Sequence, residues 1–186
     1  MKSVIIGVGG GSGSGKSTFC DILKSRLPDV DVTVINMDRY FKNPLPKMVS
    51  PVTGETADDY NHPDSVDYQK PLRILKELKT GGEPGVVIIE GVLLFCYEDV
   101  RKELDLKIFI ELDSDERMFR RIKRNMERRG LSMDEIADYY LNFAKFREAD
   151  YALKSKAYAD ITINGRDFGG RPADVIVSWV KDFIKT

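Results

Sequence analysis

Histidine and cysteine are nearly absent from this chain of 186 residues, and each scarcity narrows its chemistry. The single histidine, His62, excludes a His-rich metal site and argues against a Ser-His-Asp hydrolytic engine. Two cysteines, Cys20 and Cys96, cannot build a disulfide framework or a zinc site; both lie among apolar residues and are expected to pack in the core. No apolar run is long enough to span a bilayer. Met1-Lys2 leads into a strand-like run rather than a signal peptide, so a cytoplasmic location and no membrane partner are expected. A net charge of −1 lacks the polycation character of a bulk nucleic-acid binder. There is neither an internal repeat nor a low-complexity tail.

What the chain does have is Gly10-Gly11-Ser12-Gly13-Ser14-Gly15-Lys16-Ser17-Thr18. This run fits the phosphate-loop pattern of Gly, four residues, then Gly-Lys-Ser/Thr. Small residues let backbone N–H groups turn inward around an anion. Lys16 would reach the β- and γ-phosphates, and the Ser17 hydroxyl would hold Mg2+. A flexible Gly/Ser turn is the plain alternative, and chance alone yields the pattern in about one such chain per hundred. Its context is specific, however. A strand-like run, Val4 to Val8, precedes it. After it, apolar residues at helical spacing run from Phe19 to Leu27, with Pro28 as the stop. Strand, glycine loop and helix together predict nucleoside-triphosphate binding.

Beyond the loop, strand-like and helix-like segments alternate. Strands are predicted at Val4 to Val8, Val32 to Asn36, Val86 to Glu90, Lys107 to Leu112 and Asp160 to Ile163. This order implies an α/β fold: one domain over 1–186, three layers (α/β/α) with a parallel sheet. The stretch from Asn43 to Asp67 holds four prolines and reads as one long loop, of the kind that is functional or disordered.

Two carboxylates stand at strand ends. Asp38 follows the second strand, where it would either orient an acceptor hydroxyl and take its proton or serve as a turn or helix-cap residue. Glu90 ends an apolar strand that reads as buried on both faces. A metal-organising carboxylate suits that position better than a surface charge.

From Asp115 to Gly130 the chain is rich in arginine. At 100° per residue, Arg117, Arg120, Arg121, Arg124 and Arg128 share an arc of about 100°. Met118, Phe119, Ile122 and Met126 gather on another side, which predicts one packed face and one that presents guanidinium groups. A solvated basic face or a nucleic-acid-binding one would share this pattern. Beside a phosphate loop, a lid that brings arginine to a transferring phosphoryl group fits best, over about residues 115–147.

These pieces resemble the uridine kinase branch of the phosphoribulokinase/uridine kinase family over nearly the whole chain. The resemblance rests on Met37-Asp38-Arg39-Tyr40-Phe41-Lys42, Tyr60-Asn61-His62-Pro63-Asp64, Glu90-Gly91-Val92-Leu93-Leu94-Phe95, the arginine segment, and Lys156-Ala157-Tyr158-Ala159-Asp160. It implies a P-loop kinase with ATP and Mg2+ that phosphorylates the 5′-hydroxyl of a small ribosyl compound. It also implies Asp38 as general base, with Lys16, Arg121, Arg124 and Arg129 as catalytic partners. Substrate contacts are implied for Asp38, Tyr40, Phe41, Asn61, His62 and Arg121, and metal binding for Ser17 and Glu90. On the residues alone, His62 would contact substrate or hydrogen-bond its own loop.

Three departures bear on the acceptor. Asn61 stands where the family has Asp, and Leu131 where an additional lid arginine is usual. The base-reading hairpin that uridine kinases place before the third predicted strand is replaced by the short linker Lys79 to Gly85. A nicotinamide riboside kinase or another small-metabolite kinase is therefore the nearest alternative. Outside enzymes, a nucleotide-dependent switch or a nucleic-acid-binding ATPase would share the phosphate loop. The guanine-reading Asn-Lys-x-Asp motif and the Leu-Ser-Gly-Gly-Gln signature are both missing.

Overall fold

Residues of alternating parity along each apolar run face opposite sides of a sheet, and both sides here are covered. The computed structural model describes residues 3–80 and 85–185. Its central strands are β1 (Val4–Gly10), β2 (Val32–Asn36), β5 (Val86–Glu90), β6 (Leu106–Glu111) and β7 (Ile161–Asn164). They pair in parallel in the order β2-β5-β1-β6-β7. Val4, Ile6 and Val8 of β1 pack in one core with Val86, Ile88, Ile108 and Ile110. Ile5, Val87, Ile89 and Phe109 enter a second core on the other face.

The first core is closed by α1 (Lys16–Ser25) and α7 (Arg171–Lys185). Phe19, Cys20 and Leu23 of α1 meet Ala173, Ile176, Val177 and Val180 of α7 there. The spacing of the α7 residues is that of a single helical stripe. The second core takes Leu72 and Leu75 of α2 (Gln69–Thr80) and Val100 of α3 (Glu98–Arg101). Cys20 is buried and Cys96 half-buried against the second core, as their apolar neighbours predict.

The order of elements agrees with the sequence reading; two strands have the expected limits and the other three differ by one or two residues. The stretch 43–67 does not: it is not one irregular loop. It contains an antiparallel hairpin of β3 (Lys47–Val49) and β4 (Thr56–Asp58), and a tight 3-10 turn at Pro63–Ser65. Strands of three residues that bury little beyond Met48 leave no readable alternation. The linker where the base-reading hairpin is missing includes residues 81–84, which lie outside the described residues.

After β6, α4 (Ser114–Arg129) ends at Gly130 in the left-handed conformation. A capping box between Ser132 and Glu135 starts α5 (Met133–Tyr139). The helical path then continues through a π-helical segment (Tyr140–Ala144), α6 (Lys145–Arg147) and a second π-helical segment (Glu148–Ala152). It therefore runs past the expected lid boundary at residue 147. Among the described residues, no helix is long and apolar enough to cross a membrane.

The arginine helix corrects its sequence reading. Phe119 is 73% exposed and Met126 46% exposed, whereas Arg117 is buried and Arg121 and Arg124 are half-buried. Arg117, Arg121 and Arg124 turn inward together with half-buried Met118 and Ile122, while Arg120 and Arg128 stay exposed. Arg117 turns in because the surface beneath it is polar: the Ser12 carbonyl of the phosphate loop and the buried carboxylate of Glu148.

Candidate active site

β1 ends at Gly10, and α1 begins six residues later, so residues 11–15 must turn sharply above the carboxyl edge of the sheet. Gly13 (φ 84°) and Gly15 (φ 102°) supply the left-handed backbone that turn needs. A Cβ on Gly13 would lie 2.6 Å from the Arg117 carbonyl, and one on Gly15 2.5 Å from the Phe168 ring. The loop is thus closely seated on α4 and on the segment after β7. The first amides of α1 point out of it with the positive end of the helix dipole. Lys16 is buried, and its Nζ donates to the Gly11 carbonyl at 3.1 Å. Ser14 Oγ is buried with no hydrogen-bond partner.

Parallel pairing sets Asn36 and Glu90 in register at the ends of β2 and β5. Asn36 Nδ2 and Ser17 Oγ both donate to Glu90 Oε1, each at 2.7 Å. Asn36 Oδ1 in turn accepts from the Asp38 amide at 2.8 Å. One asparagine therefore ties the strand-end glutamate to the turn that carries Asp38. Burial holds the Glu90 carboxyl above its usual 4.5, against the opposing effects of Lys16 and the Ser17 hydroxyl. A buried anion beside a serine hydroxyl and the phosphate loop suits Mg2+, which takes few protein ligands and keeps several waters.

Asp38 faces a cavity of about 640 Å³, lined also by Ser12, Ser17, Asn36, Phe41, Asn61, Arg121, Arg124, Arg129 and Tyr139. Asp38 Oδ1 is 3.5 Å from the Val92 amide that donates to it. Arg124 donates to Ser12 Oγ at 3.1 Å. Arg121 Nε is buried without a partner, and burial lowers the pKa of both arginines. For Arg124, neighbouring Arg121 and Arg129 add to that effect. The cavity thus brings the Asp38 carboxylate against several guanidinium groups at the open end of the phosphate loop, with Glu90 bonded to Ser17 and Asn36 of its wall.

Two residues of the acceptor segments lie elsewhere. Tyr40 packs half-buried against the second core. His62 is extended before Pro63 and its Nδ1 accepts from the Asp64 amide at 3.1 Å, so it bonds within its own loop. Its ring meets Tyr151 edge-on at 4.9 Å.

Sequence reasoning overlooked Asn36, Tyr139, Asp59, Arg147 and Glu148. Asn36 carried a usable signal, since a polar residue ends a strand beside the candidate base. The others have none, because their partners are distant along the chain. Tyr139 donates to the Asp58 carbonyl at 2.9 Å, Arg147 pairs with buried Asp59, and Glu148 pairs with buried Arg117.

The chain is 34% identical over 183 residues to uridine-cytidine kinase B of Dictyostelium discoideum, covering 86% of this chain and 73% of that protein. It is 34% identical to the uridine kinase of Streptococcus pneumoniae (strain Hungary19A-6), covering 87% of this chain and 85% of that protein. It spans only 38% of the length of uridine kinase-like proteins 3 and 4 of Arabidopsis thaliana. The crystal structure of TT1252 from Thermus thermophilus superposes with a TM-score of 0.59 at 21% identity, over 97% of this chain and 99% of that one, a likeness of fold. The sequence model of the Phosphoribulokinase / Uridine kinase family matches residues 5–85 and 82–167, and the chain belongs to that family.

Proposed function

We propose that this protein is an ATP-dependent kinase that transfers the γ-phosphoryl group to a hydroxyl of a small ribosyl or nucleoside substrate, with Mg2+. The observation that carries this reading is the shared cavity: Asp38 opens on the same space as Ser17 and the inward-turned arginines of α4.

In this reading the amides of residues 10–18 and the Lys16 ammonium bind the triphosphate. Ser17 and Glu90 would hold Mg2+, which when bound offsets charge on the β- and γ-phosphates. Asp38 accepts the proton of the acceptor hydroxyl as its oxygen bonds to the γ-phosphorus. The bond from that phosphorus to the β–γ bridging oxygen breaks, and ADP leaves with the electron pair. Arg121, Arg124 and Arg129 offset the charge that builds on the transferring oxygens. Closing the cavity excludes water that would otherwise take the phosphoryl group. Phe41 and Asn61 face the acceptor, and Asn61 offers hydrogen bonds without charge. The inward arginine face favours a lid over a nucleic-acid surface.

The test is ADP release with uridine, cytidine, nicotinamide riboside and simple sugars as acceptors. Release is expected with at least one ribosyl compound. Indifference to all of them would remove the nucleoside reading.

A further inference from the structure

In an α-helix, residues four apart drift by about 40° per step, so a stripe spaced 4-4-4 winds off a face within three steps. Tyr139, Phe143, Arg147 and Tyr151 have that spacing, yet they act on one side of the helical path. Tyr139 and Phe143 stack at 5.6 Å, and the Arg147 guanidinium lies 6.0 Å from the Tyr151 ring centre. The two π-helical segments, Tyr140–Ala144 and Glu148–Ala152, explain this: the wider i→i+5 turn removes the drift.

Three members of the stripe grip residues 58–62. Tyr139 donates to the Asp58 carbonyl, and its hydroxyl oxygen lies 3.4 Å from both the Tyr60 amide and Asn61 Nδ2. Tyr151 meets His62. Between them, Arg147 Nε donates to Asp59 Oδ2 at 2.7 Å. Asp59 is 2% exposed, and its other oxygen accepts from the Asn61 amide at 3.0 Å. Its own amide donates to the Pro46 carbonyl, at the base of the β3–β4 hairpin. One buried aspartate thus joins the helix and the backbone of Asn61 through its carboxylate, and the hairpin through its own amide. The next residue, Glu148, points away to Arg117 under the phosphate loop.

We propose that Arg147 is a positioning residue for the acceptor site: through Asp59 it holds Asn61 at the cavity wall, and the π-helical segments exist to bring it there. It touches no reacting atom. The inference rests on the reading of the cavity as an acceptor site.

Arg147→Met keeps most of the stem and removes the guanidinium. Amide exchange at residues 58–62 is expected to rise about tenfold, with exchange in β1, β5 and β6 unchanged. With uridine as probe, KM for uridine should rise about tenfold, while kcat, KM for ATP and the Kd for Mg-ADP stay within about twofold. The double variant Asp59→Asn/Arg147→Gln replaces the ion pair by a neutral hydrogen-bonded pair and should recover most of both effects. Unchanged exchange at 58–62 would overturn the proposal. So would exchange raised equally throughout the chain, or KM for uridine and for ATP rising together. If the parent protein turns over none of the ribosyl compounds, that counts against the acceptor reading, and exchange at 58–62 still decides the role of Arg147; if it turns over another of them and not uridine, that compound replaces uridine as the probe.

Discussion

Ser17 and Glu90, on different elements and far apart along the chain, meet at 2.7 Å, with the serine hydroxyl donating to the carboxylate. The contact couples the first turn of α1 to the end of β5. Because Asn36 donates to the same oxygen, the carboxylate is held by two donors in a buried setting. Most of the candidate chemistry is arranged around this junction.

Asp38→Asn tests the proton acceptor. The amide keeps the shape and can still accept from the Val92 amide, but it cannot take a proton. Turnover should fall by about 10²–10⁴, the usual worth of a general base. Binding of Mg-ADP, followed by calorimetry, should change little. Turnover close to that of the parent protein would remove Asp38 from the role.

Glu90→Gln tests the buried carboxylate by its pH signature. A carboxyl raised above 4.5 in the folded state binds more protons folded than unfolded. Its contribution to stability is therefore present at low pH and is lost as pH rises from 4.5 through the raised folded value. Melting temperatures of the parent should fall relative to Glu90→Gln across that window, and the variant should lose Mg2+-dependent turnover. Parallel melting curves at all pH values would contradict the burial argument.

Glu148→Ala leaves the Arg117 guanidinium buried without its anion. Breaking a buried pair from one side costs about 3–5 kcal/mol. Urea unfolding should show a loss of that order, and Arg117→Met combined with Glu148→Leu should regain a large part of it. A loss no greater than that of an exposed ion pair would show that the pair is solvated in solution.

Gly13→Ala tests the loop itself. Alanine at φ 84° carries about 1–2 kcal/mol of left-handed strain, and its Cβ would meet the Arg117 carbonyl at 2.6 Å. Affinity for Mg-ADP should fall more than tenfold by calorimetry, on the order of 1.4 kcal/mol or more. Wild-type affinity would show that the loop opens away from α4 when it binds.

The phosphate loop, the parallel strands, the strand-end carboxylates and the arginine run were all legible from local spacing, because each is set by neighbours a few residues away. Asp38 and Glu90 could be nominated because parallel β-strands deliver their ends, and the turns that follow, to one edge of the sheet. The β3–β4 hairpin was not legible, since its pairing is between two three-residue segments with almost no apolar alternation. The facing of α4 was legible only in part: Phe119 and Met126, expected to pack, are exposed, and Arg117 is buried. Periodicity shows that arginine and apolar residues occupy different sides, but only the surface beneath the helix decides which side turns in. Here that surface carries the Ser12 carbonyl and Glu148, and Phe119 is left in solvent.

By itself, the sequence determined the glycine loop between strand and helix, the order of the layers and the edge of the sheet where the candidate residues gather, because local backbone preference and hydrophobic periodicity need no distant partner. Only the tertiary structure decided how that edge is finished. Asn36 bridges Glu90 and Asp38, Arg117 is neutralised from residue 148, and Asp59 is held by Arg147 across a helix widened by π-helical turns. Buried polar groups take whichever partner the fold brings within reach, and that reach cannot be read along the chain.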